Sequence, residues 1–381
     1  MNNKYNPALF WFAVLNAVAT FLLIGLGGLV TSHEAGMSVP DWPTSYGYNM
    51  FALPIKFWTG GAFFEHTHRL LASGVGFLTT ILALWLFGKN ARPFMRWVGF
   101  ILPIIGIASE ILFPNRWLDG VLFGALGLVF YIASFFWPRC ESSVKWLRWL
   151  GVAAFLLVVA QGILGGMRVR LQMASLGIFH GAVAQTFLVL VCAIALFTSR
   201  WWQNSETEKQ IPVPRGLRKH ILYVTILIFI QLLIAATMRH QHAGLAIPDF
   251  PTAYGKIWPD TSAAAIASYN AQRIEVNGEN PITAFQVNLQ MIHRLVAYTI
   301  FLGVAAAAFL SLKKLGGCDA LAKFAFFWLA LLTLQIVLGA ATIWTNKAAD
   351  IATLHVMVGA LALLTGALWW LVAARRTRLA G

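Results

Sequence analysis

Charged residues and cysteines are both scarce in this sequence of 381 residues. Asp, Glu, Lys and Arg make up 11% of the chain, whereas a soluble domain carries roughly 25%. That shortage excludes a soluble globular protein, a disordered tail and a nucleic-acid-binding domain. The three cysteines, Cys140, Cys192 and Cys318, lie far apart and form no CxxC pair. This pattern argues against an iron–sulfur cluster and against a zinc knuckle.

Long apolar runs fill the sequence, and 59% of the residues are hydrophobic. Each run reaches or nearly reaches the ~20 residues that a helix needs to cross ~30 Å of hydrocarbon. Backbone groups in lipid must pair within their own segment, so the runs predict an all-α polytopic membrane protein. The ten runs are Ala8–Val30, Leu70–Gly88, Val98–Phe113, Gly120–Trp137, Trp149–Met167, Leu171–Ser199, Ile221–Met238, Leu295–Leu312, Phe324–Asn346 and Ile351–Ala374.

The distribution of basic residues predicts the orientation of these helices. With the N-terminus inside, the inner segments contain 18 of the 28 Lys and Arg residues but only 4 of the 14 acidic residues. The whole excess of positive charge is then cytoplasmic, as the positive-inside rule requires. The net charge of +14 therefore indicates topology rather than a nucleic-acid partner, and both termini are expected in the cytoplasm.

The first run has a competing interpretation as a cleaved signal peptide. It is too long for the apolar part of such a peptide, and no A-x-A site follows it. No transit-peptide pattern precedes it either, so we expect the plasma (inner) membrane of a bacterium rather than an organelle.

Two predicted outer loops repeat one another. Loop one is HEAGMSVPDWPTSYG (His33–Gly47), loop two is QHAGLAIPDFPTAYG (Gln241–Gly255), and eight of their fifteen aligned residues are identical. Three later motifs recur in the same order, so the two halves are related by duplication and share one orientation. These pairs are His68-Arg69-Leu70 with His293-Arg294-Leu295, QGILGGMRV at 161–169 with QIVLGAATI at 335–343, and LGIFHGAV around His180 with IATLHVMV around His355.

The spacing of the repeats locates two insertions. Between loop two and His293 there are 17 more residues than between loop one and His68. Between His68 and His180 there are 50 more residues than between His293 and His355. Fifty residues suffice for one helical hairpin, which we assign to about residues 97–138. We therefore predict two pseudo-repeated four-helix bundles with eight core transmembrane helices, at residues 1–200 and 221–381. A cytoplasmic linker at 201–220 joins them.

Four histidines, His68, His180, His293 and His355, occupy matching positions near the outer ends of helices in the two halves. Two histidines on neighbouring helices of a bundle can bind the two faces of a haem iron. Alternatively, these are ordinary intramembrane histidines that bond to backbone carbonyls. That interpretation explains a single histidine better than it explains two equivalent pairs. Zinc would need further ligands that neither pair supplies. The remaining histidines are interpreted as surface or pocket-rim residues; they are His33, His66, His220, His240 and His242.

Glycines and arginines lie beside the histidine motifs. Gly162, Gly165 and Gly166 favour close helix packing, which would also leave room for a flat macrocycle. The arginines at the outer boundary either pair with haem propionates or extend to the membrane interface. These candidates are Arg69, Arg168, Arg239 and Arg294.

The two halves differ at one chemically informative position. Glu65 precedes His68 by three residues, and the neutral Gln290 precedes His293 by three. Residues three apart share a helix face, and a carboxylate can act as a general base whereas an amide cannot. Either Glu65 is a loop-end residue that faces water, or the first half performs chemistry while the second holds an electron-transfer haem.

As a set, the PDWP and PDFP loops, the E-x-x-H-R-L helix start, the QGxLGGxRV stretch and the fourth-helix histidines resemble the haem A synthase family. The resemblance covers nearly the whole chain apart from the inserted hairpin. It implies an eight-helix enzyme of two four-helix halves that oxidises the C8 methyl of haem O to a formyl group. The product, haem A, serves cytochrome oxidases.

The resemblance also implies roles for individual residues. His68 and His180 would flank the substrate haem O, His293 and His355 would ligate the iron of a haem b cofactor, and Glu65 would take part in catalysis. The implied partners are haem O synthase and cytochrome oxidase subunits, with a homo-oligomer left open. Two features depart from the family pattern. Loop one lacks the cysteine pair of many bacterial members, with Val39 and Ser45 standing about there, and the hairpin is additional.

Two other functions fit parts of the sequence. A dihaem electron carrier of cytochrome b type, acting on quinol, would bind two similar haems permanently and modify neither. A haem transporter or chaperone would exchange haem without changing its mass. The difference between Glu65 and Gln290 counts against the electron carrier.

Overall fold

The computed structural model describes residues 5–112, 117–138, 145–173, 175–204, 211–272 and 281–379. Three predicted features lie wholly or partly outside this part of the chain. They are Phe113 at the end of the run Val98–Phe113, Cys140, and residues 205–210 of the expected linker. Within it the fold is helical, with isolated β-bridges only between Ser45 and Tyr48 and between Ala253 and Lys256. The helices are α1 (Pro7–Ser32), α2 (Gly60–Phe87), α3 (Ala91–Leu112), α4 (Trp117–Phe136), α5 (Lys145–Arg170), α6 (Leu176–Thr198), α7 (Arg200–Asn204), α8 (Arg215–His240), α9 (Ala263–Gln272), α10 (Ala284–Leu315), α11 (Ala320–Trp344) and α12 (Ala349–Leu379).

Nine stretches of the described chain are long and apolar enough to cross a membrane. One of them, Gly60–Leu112, has 53 residues and contains both α2 and α3, so each of the ten predicted runs corresponds to a long helix. Gly88 separates α2 from α3 with a φ of +58°, a left-handed conformation that glycine adopts at little steric cost. The prediction of an all-α polytopic membrane protein is confirmed.

The chain forms two compact units. The first unit comprises Met1–Leu23, Met37–Arg170 and Leu190–Ser205, and the second comprises Ile24–Gly36, Leu171–Val189 and Glu206–Gly381. The later parts of α1 and the earlier part of α6 are thus grouped with the second unit, whereas the sequence repeat assigns both helices to the first half.

Glycines explain why the end of α1 belongs to the second unit. A Cβ added at Gly25 would lie 2.9 Å from Met357 Sδ, and one at Gly28 would lie 3.0 Å from Thr353 Cγ2. Such short distances show that α1 and α12 approach closely at these glycines, as small residues permit in membrane helices.

The second unit contains a four-helix arrangement in which α8 packs on α10 and α12, and α11 packs on the same two helices. Trp328 and Trp369 are fully buried in its core. Their indole N–H groups donate to the carbonyls of Ala362 and Leu321, at 2.8 and 2.9 Å. A buried indole needs such an acceptor, so these bonds fix the register between α11 and α12.

The first unit contains the inserted hairpin, which is α3 packed on α4. Glycines again allow the approach: a Cβ at Gly106 would lie 2.7 Å from the Gly120 carbonyl oxygen. The hairpin is tied to the rest of the unit at both ends. Asn49 donates to Asp119 at 2.6 Å, and the Trp137 indole donates to the Leu84 carbonyl at 3.2 Å. Its first helix begins at Ala91, slightly before the expected start near residue 97.

Candidate functional site

Loop one folds around the carboxylate of Asp41. The backbone N–H groups of Tyr46 and Gly47 donate to its two oxygens at 2.6 and 2.9 Å. Tyr46 and Gly47 have φ values of +52° and +77°, which glycine adopts readily and tyrosine rarely. The Tyr46 hydroxyl closes the loop by donating to the Ser38 carbonyl at 2.7 Å. The aspartate therefore stabilises a turn that would otherwise be unfavourable.

Loop two has the same internal structure. Asp249 accepts from the N–H groups of Tyr254 and Gly255 at 2.7 and 2.9 Å, and the Tyr254 hydroxyl donates to the Ala246 carbonyl at 2.6 Å. Both loops also contain one cis X–Pro peptide bond, Trp42-Pro43 in the first and Phe250-Pro251 in the second. The sequence repeat thus corresponds to a repeated local structure.

The hydrogen bonds inside the loops lower the pKa of both aspartates below the ordinary value of 3.8. Burial by itself would raise the pKa of Asp41, but the Thr44 side chain and the backbone N–H groups of Gly47 and Tyr46 favour the charged form and outweigh it. In loop two the same burial effect is outweighed by the N–H groups of Gly255 and Tyr254 and by the Thr252 side chain.

We expect loop one to lose stability in acid. Because the folded pKa of Asp41 is lowered, its stabilisation is complete above the ordinary value of 3.8 and is lost as the pH falls through the lowered folded value. Hydrogen exchange, corrected for intrinsic pH dependence, should show the Tyr46 and Gly47 amides losing protection over that range. The Asp41→Asn variant should have weaker protection at neutral pH and no change across the same range. Constant protection in the unmodified protein would contradict the prediction.

Glu65 joins loop one to α2. Its side chain is buried, with Oε2 accepting from the Val39 N–H at 2.9 Å and Oε1 accepting from Arg69 at 2.6 Å. Arg69 in turn donates to the carbonyls of Val39, Asp41 and Thr44, at 3.0, 2.7 and 3.1 Å. We call Glu65 and Arg69 the loop-one latch, because together they bind the backbone of three loop residues and hold the loop against the helix.

Gln290 and Arg294 form the equivalent loop-two latch. Gln290 is buried, its Oε1 accepts from the Ile247 N–H at 2.7 Å, and its Nε2 donates to the Gly244 carbonyl at 3.1 Å. Arg294 donates to the carbonyls of Asp249 and Thr252. The amide and the carboxylate therefore hold the same loop position, so the fold alone does not require a charge at Glu65.

The negative charge of Glu65 faces a second arginine. Arg168, on α5, interacts electrostatically with Glu65, and its buried Nε–H has no acceptor within the described chain. The aligned residue in the second half is Thr342. The first half thus has an ionic cluster of Glu65, Arg69 and Arg168, and the positions aligned with these residues in the second half are Gln290, Arg294 and Thr342.

Each loop tyrosine is covered by an aromatic ring from the segment that follows. Tyr46 stacks on Phe57 with ring centroids 5.2 Å apart, and Tyr254 stacks on Tyr269 at 3.6 Å. Tyr269 belongs to α9, which lies in the longer connection after loop two. The additional residues there therefore supply the ring that Phe57 supplies in the first half.

Trp42 of loop one lies directly on α5. A Cβ added at Gly166 would overlap Cδ2 of the Trp42 ring, so only glycine leaves room for the indole. This glycine therefore serves packing, but against a loop side chain rather than another helix, and Gly162 has nothing within 4 Å of an added Cβ. In the second half the aligned residues are Phe250 in place of Trp42 and Ala340 in place of Gly166. The ring is smaller there, and the helix residue carries a methyl group.

Two histidines lie elsewhere than the sequence suggests. His66 is not at a surface or a pocket rim: it is 1% exposed, and its ring meets the Trp58 ring edge-on at 4.7 Å. Neither of its ring nitrogens has a hydrogen-bond partner within the described residues. His220 lies in α8 rather than in a loop, with Nε2 2.8 Å from the Gly303 carbonyl oxygen. No sequence signal identified the segment that covers His66.

The second unit brings His293 of α10 and His355 of α12 into electrostatic range of each other. Both side chains are half-buried, and the Nδ1 atom of each is buried without a partner in the described chain. A Cβ at Gly339 would lie 3.1 Å from His355 Cε1, so this glycine leaves space for the ring. The His355 ring fills the gap that Gly339 leaves, and the unpaired Nδ1 atoms of the two imidazoles fit ligands of a haem iron. Among the described residues no group of three His, Cys, Asp or Glu side chains could hold a metal ion.

The other two histidines are divided between the units. His68 belongs to the first unit and His180 to the second, and both are half-buried in helices. Their pairing about one haem stays a prediction.

Three of the four candidate arginines already bond to the protein. Arg69 and Arg294 bond to loop carbonyls as described, and Arg239 donates to Ser32 Oγ at 2.8 Å and to the Gly28 carbonyl at 3.1 Å. Arg239 therefore holds the end of α1. Arg294 also lies over the Phe250 ring at 5.4 Å. The sequence did not reveal these roles, because carbonyl acceptors carry no residue signature.

Comparison with known proteins gives a consistent result. A model of the family described as cytochrome oxidase assembly protein matches residues 110–367, a range that includes His180, His293 and His355. A protein named heme A synthase from Bradyrhizobium diazoefficiens is 26% identical over 369 residues, covering 93% of this chain and 88% of the relative. One of the same name from Bacillus cereus (strain 03BB102) is 23% identical over 236 residues, covering 61% and 68%.

Proposed function

This chain belongs to the cytochrome oxidase assembly protein family, and on that premise we propose that it is a haem A synthase. It would be an oxidoreductase that converts the C8 methyl group of haem O to a formyl group and so makes haem A for terminal oxidases. The names of the relatives from Bradyrhizobium diazoefficiens and Bacillus cereus support this proposal.

The observation that carries the proposal is a difference in proton-accepting capacity at one corresponding position of the two latches. Glu65 and Gln290 accept from corresponding backbone N–H groups, yet only Glu65 can accept a proton. A molecule that merely carried electrons through two similar haems would have no use for this asymmetry. We therefore assign the chemistry to the first half.

Glu65 is suited to act on the water that supplies the new oxygen. With one water as the oxygen source, oxidation of a methyl to a formyl group releases four protons and four electrons. An external one-electron oxidant would take up the electrons, and Glu65 would accept a proton or stabilise positive charge beside the ring. The Val39 N–H and Arg69 hold the carboxylate in one orientation. That fixed orientation is the contribution of the protein to the step.

We further propose that His68 and His180 bind the substrate haem O, and that His293 and His355 hold a haem b. When bound, haem b supplies one-electron redox chemistry. The buried, unpaired Nδ1 atoms of His293 and His355 support the second assignment.

The arginines differ in how free they are to meet a propionate. Arg168 and Arg294 each have a buried Nε–H without an acceptor within the described chain. Arg168 is our first candidate for the substrate site, because the terminal nitrogens of Arg294 already donate to loop carbonyls. Arg69, Arg239 and Arg294 would have to share their donors with the backbone groups that they already hold.

We further propose that the protein lies in the bacterial plasma membrane. The charge distribution of the sequence supports an orientation with both termini cytoplasmic and the haem sites near the outer face. Haem O synthase and cytochrome oxidase subunits are the partners that such a reaction requires before and after it.

A haem extract tests this function. The protein, purified from cells that supply haem O, should yield haem b together with haem O, haem A or a hydroxylated form, separated by HPLC with mass detection. His355→Ala should lose most of the haem b, because one axial ligand is removed, and should keep haem O. Two haem b per chain and no modified porphyrin would instead indicate an electron carrier. Exchange of haem without any change of mass would indicate a transporter.

A further inference from the structure

The side chains of Gln335 on α11 and His355 on α12 pack against one another. Gln335 Nε2 lies 3.4 Å from His355 Nε2. A Cβ at Gly339, one turn after Gln335, would lie 3.1 Å from His355 Cε1, and a Cβ at Gly359, one turn after His355, would lie 3.1 Å from Gln335 Nε2. Each helix thus carries a polar side chain and, four residues later, a glycine that leaves room for the polar side chain of the other helix.

The pair has unused hydrogen-bonding capacity. Gln335 Oε1 and His355 Nδ1 are both buried and have no partner within the described chain. An imidazole that binds a metal through one nitrogen usually donates its other N–H to a nearby acceptor, which fixes the ring and its tautomer. A glutamine amide offers both an acceptor oxygen and N–H donors, so Gln335 can match either tautomer of His355.

The other ligand candidate has a different glutamine neighbour. Gln231 Nε2 donates at 2.8 Å to the backbone carbonyl of His293, and this bond cannot orient the imidazole. Contact with the ring itself distinguishes Gln335.

We propose that Gln335 is a positioning residue for His355, which fixes the orientation and tautomer of the imidazole that would ligate haem b. This inference rests on the proposed function, because it presumes that His355 is an iron ligand. It assigns to Gln335 a share in the affinity for haem b and in the reduction potential of that haem.

The test uses the full-length protein with Gln335→Leu, which removes the polar group, and Gln335→Glu, which strengthens the acceptor. The matched control is Gln161→Leu, the same change at the aligned position of the first half. Haem b affinity is measured by optical titration, the midpoint potential by redox titration, and the axial ligand field by electron paramagnetic resonance.

We expect Gln335→Leu to weaken haem b binding by about 10–100-fold, the usual effect of losing a partner of a metal-binding residue. Gln335→Glu should keep haem b but lower its midpoint potential, because a carboxylate acceptor makes the imidazole a more basic ligand. Gln161→Leu should change neither property of haem b. If Gln335→Leu does not accumulate, Gln335→Met keeps the side-chain length and is measured in its place.

The outcomes separate this inference from the function on which it rests. If the unmodified protein binds haem b and loses it in His355→Ala, yet Gln335→Leu has normal affinity, potential and spectrum, only the inference is overturned. If the unmodified protein binds no haem b, or His355→Ala keeps it, the proposed haem b site is wrong and the inference falls with it.

Discussion

Glu65→Gln is expected to stop haem A formation while loop one stays latched. A general base typically contributes about 10²–10⁴-fold to a rate, so haem O should accumulate on the variant with little or no haem A. The loop should survive because Gln290 makes the equivalent bond in the second half, accepting from the Ile247 N–H at 2.7 Å. The substitution therefore removes the proton acceptor and the bond that Glu65 accepts from Arg69, but an amide oxygen keeps the bond from the Val39 N–H, and Arg69 keeps its three loop carbonyls.

Two measurements separate these roles of Glu65. Extracted porphyrins report the chemistry, and hydrogen exchange at the Val39 amide reports the latch. Glu65→Ala is the matched control, because it should lose both haem A formation and protection of the Val39 amide. Normal haem A production by Glu65→Gln would refute a catalytic role and leave the carboxylate as a purely structural residue.

Gly166→Ala should destabilise the first unit, whereas Gly162→Ala on the same helix should not. The new Cβ would overlap the Trp42 ring, and overpacking of this kind costs about 1–3 kcal/mol. Trp42→Phe should rescue the variant, because the second half combines Phe250 with Ala340 at the aligned positions.

Thermal unfolding of the detergent-solubilised protein measures this effect. Gly162→Ala is the matched control on the same helix, since an added Cβ there meets nothing within 4 Å. It corrects for the gain of about 1 kcal/mol that alanine brings over glycine in a helix. Equal stability of the two single variants, or a double variant no better than Gly166→Ala, would contradict the role given to Trp42.

The helices and the repeat could be predicted from the sequence because both leave direct signals. Runs of apolar residues predicted every long helix of the described chain. Identical residues at Asp41 and Asp249 reflect one loop structure, because each carboxylate must accept from the same two N–H groups. Spacing arithmetic also located the hairpin of α3 and α4, whose first helix began only slightly earlier than expected.

Contacts through backbone groups or across distant segments could not be predicted. The burial of His66 depends on Trp58, and periodicity along α2 cannot show which loop covers it. The bond between Gln335 and His355 joins two helices, although the recurrence of Gln161 as Gln335 was a visible hint. Likewise, nothing in α1 alone indicates that Gly25 and Gly28 approach α12.

Because the loop latch occurs twice, every experiment on loop one has an internal standard in the same molecule. Loop two experiences the same detergent, temperature and pH during each measurement, so a ratio of amide exchange between Val39 and Ile247 cancels differences between preparations. A variant that merely loosens the whole protein changes both amides, whereas one that acts on a single latch changes the ratio. Duplication thus makes small local effects measurable without a second purified protein.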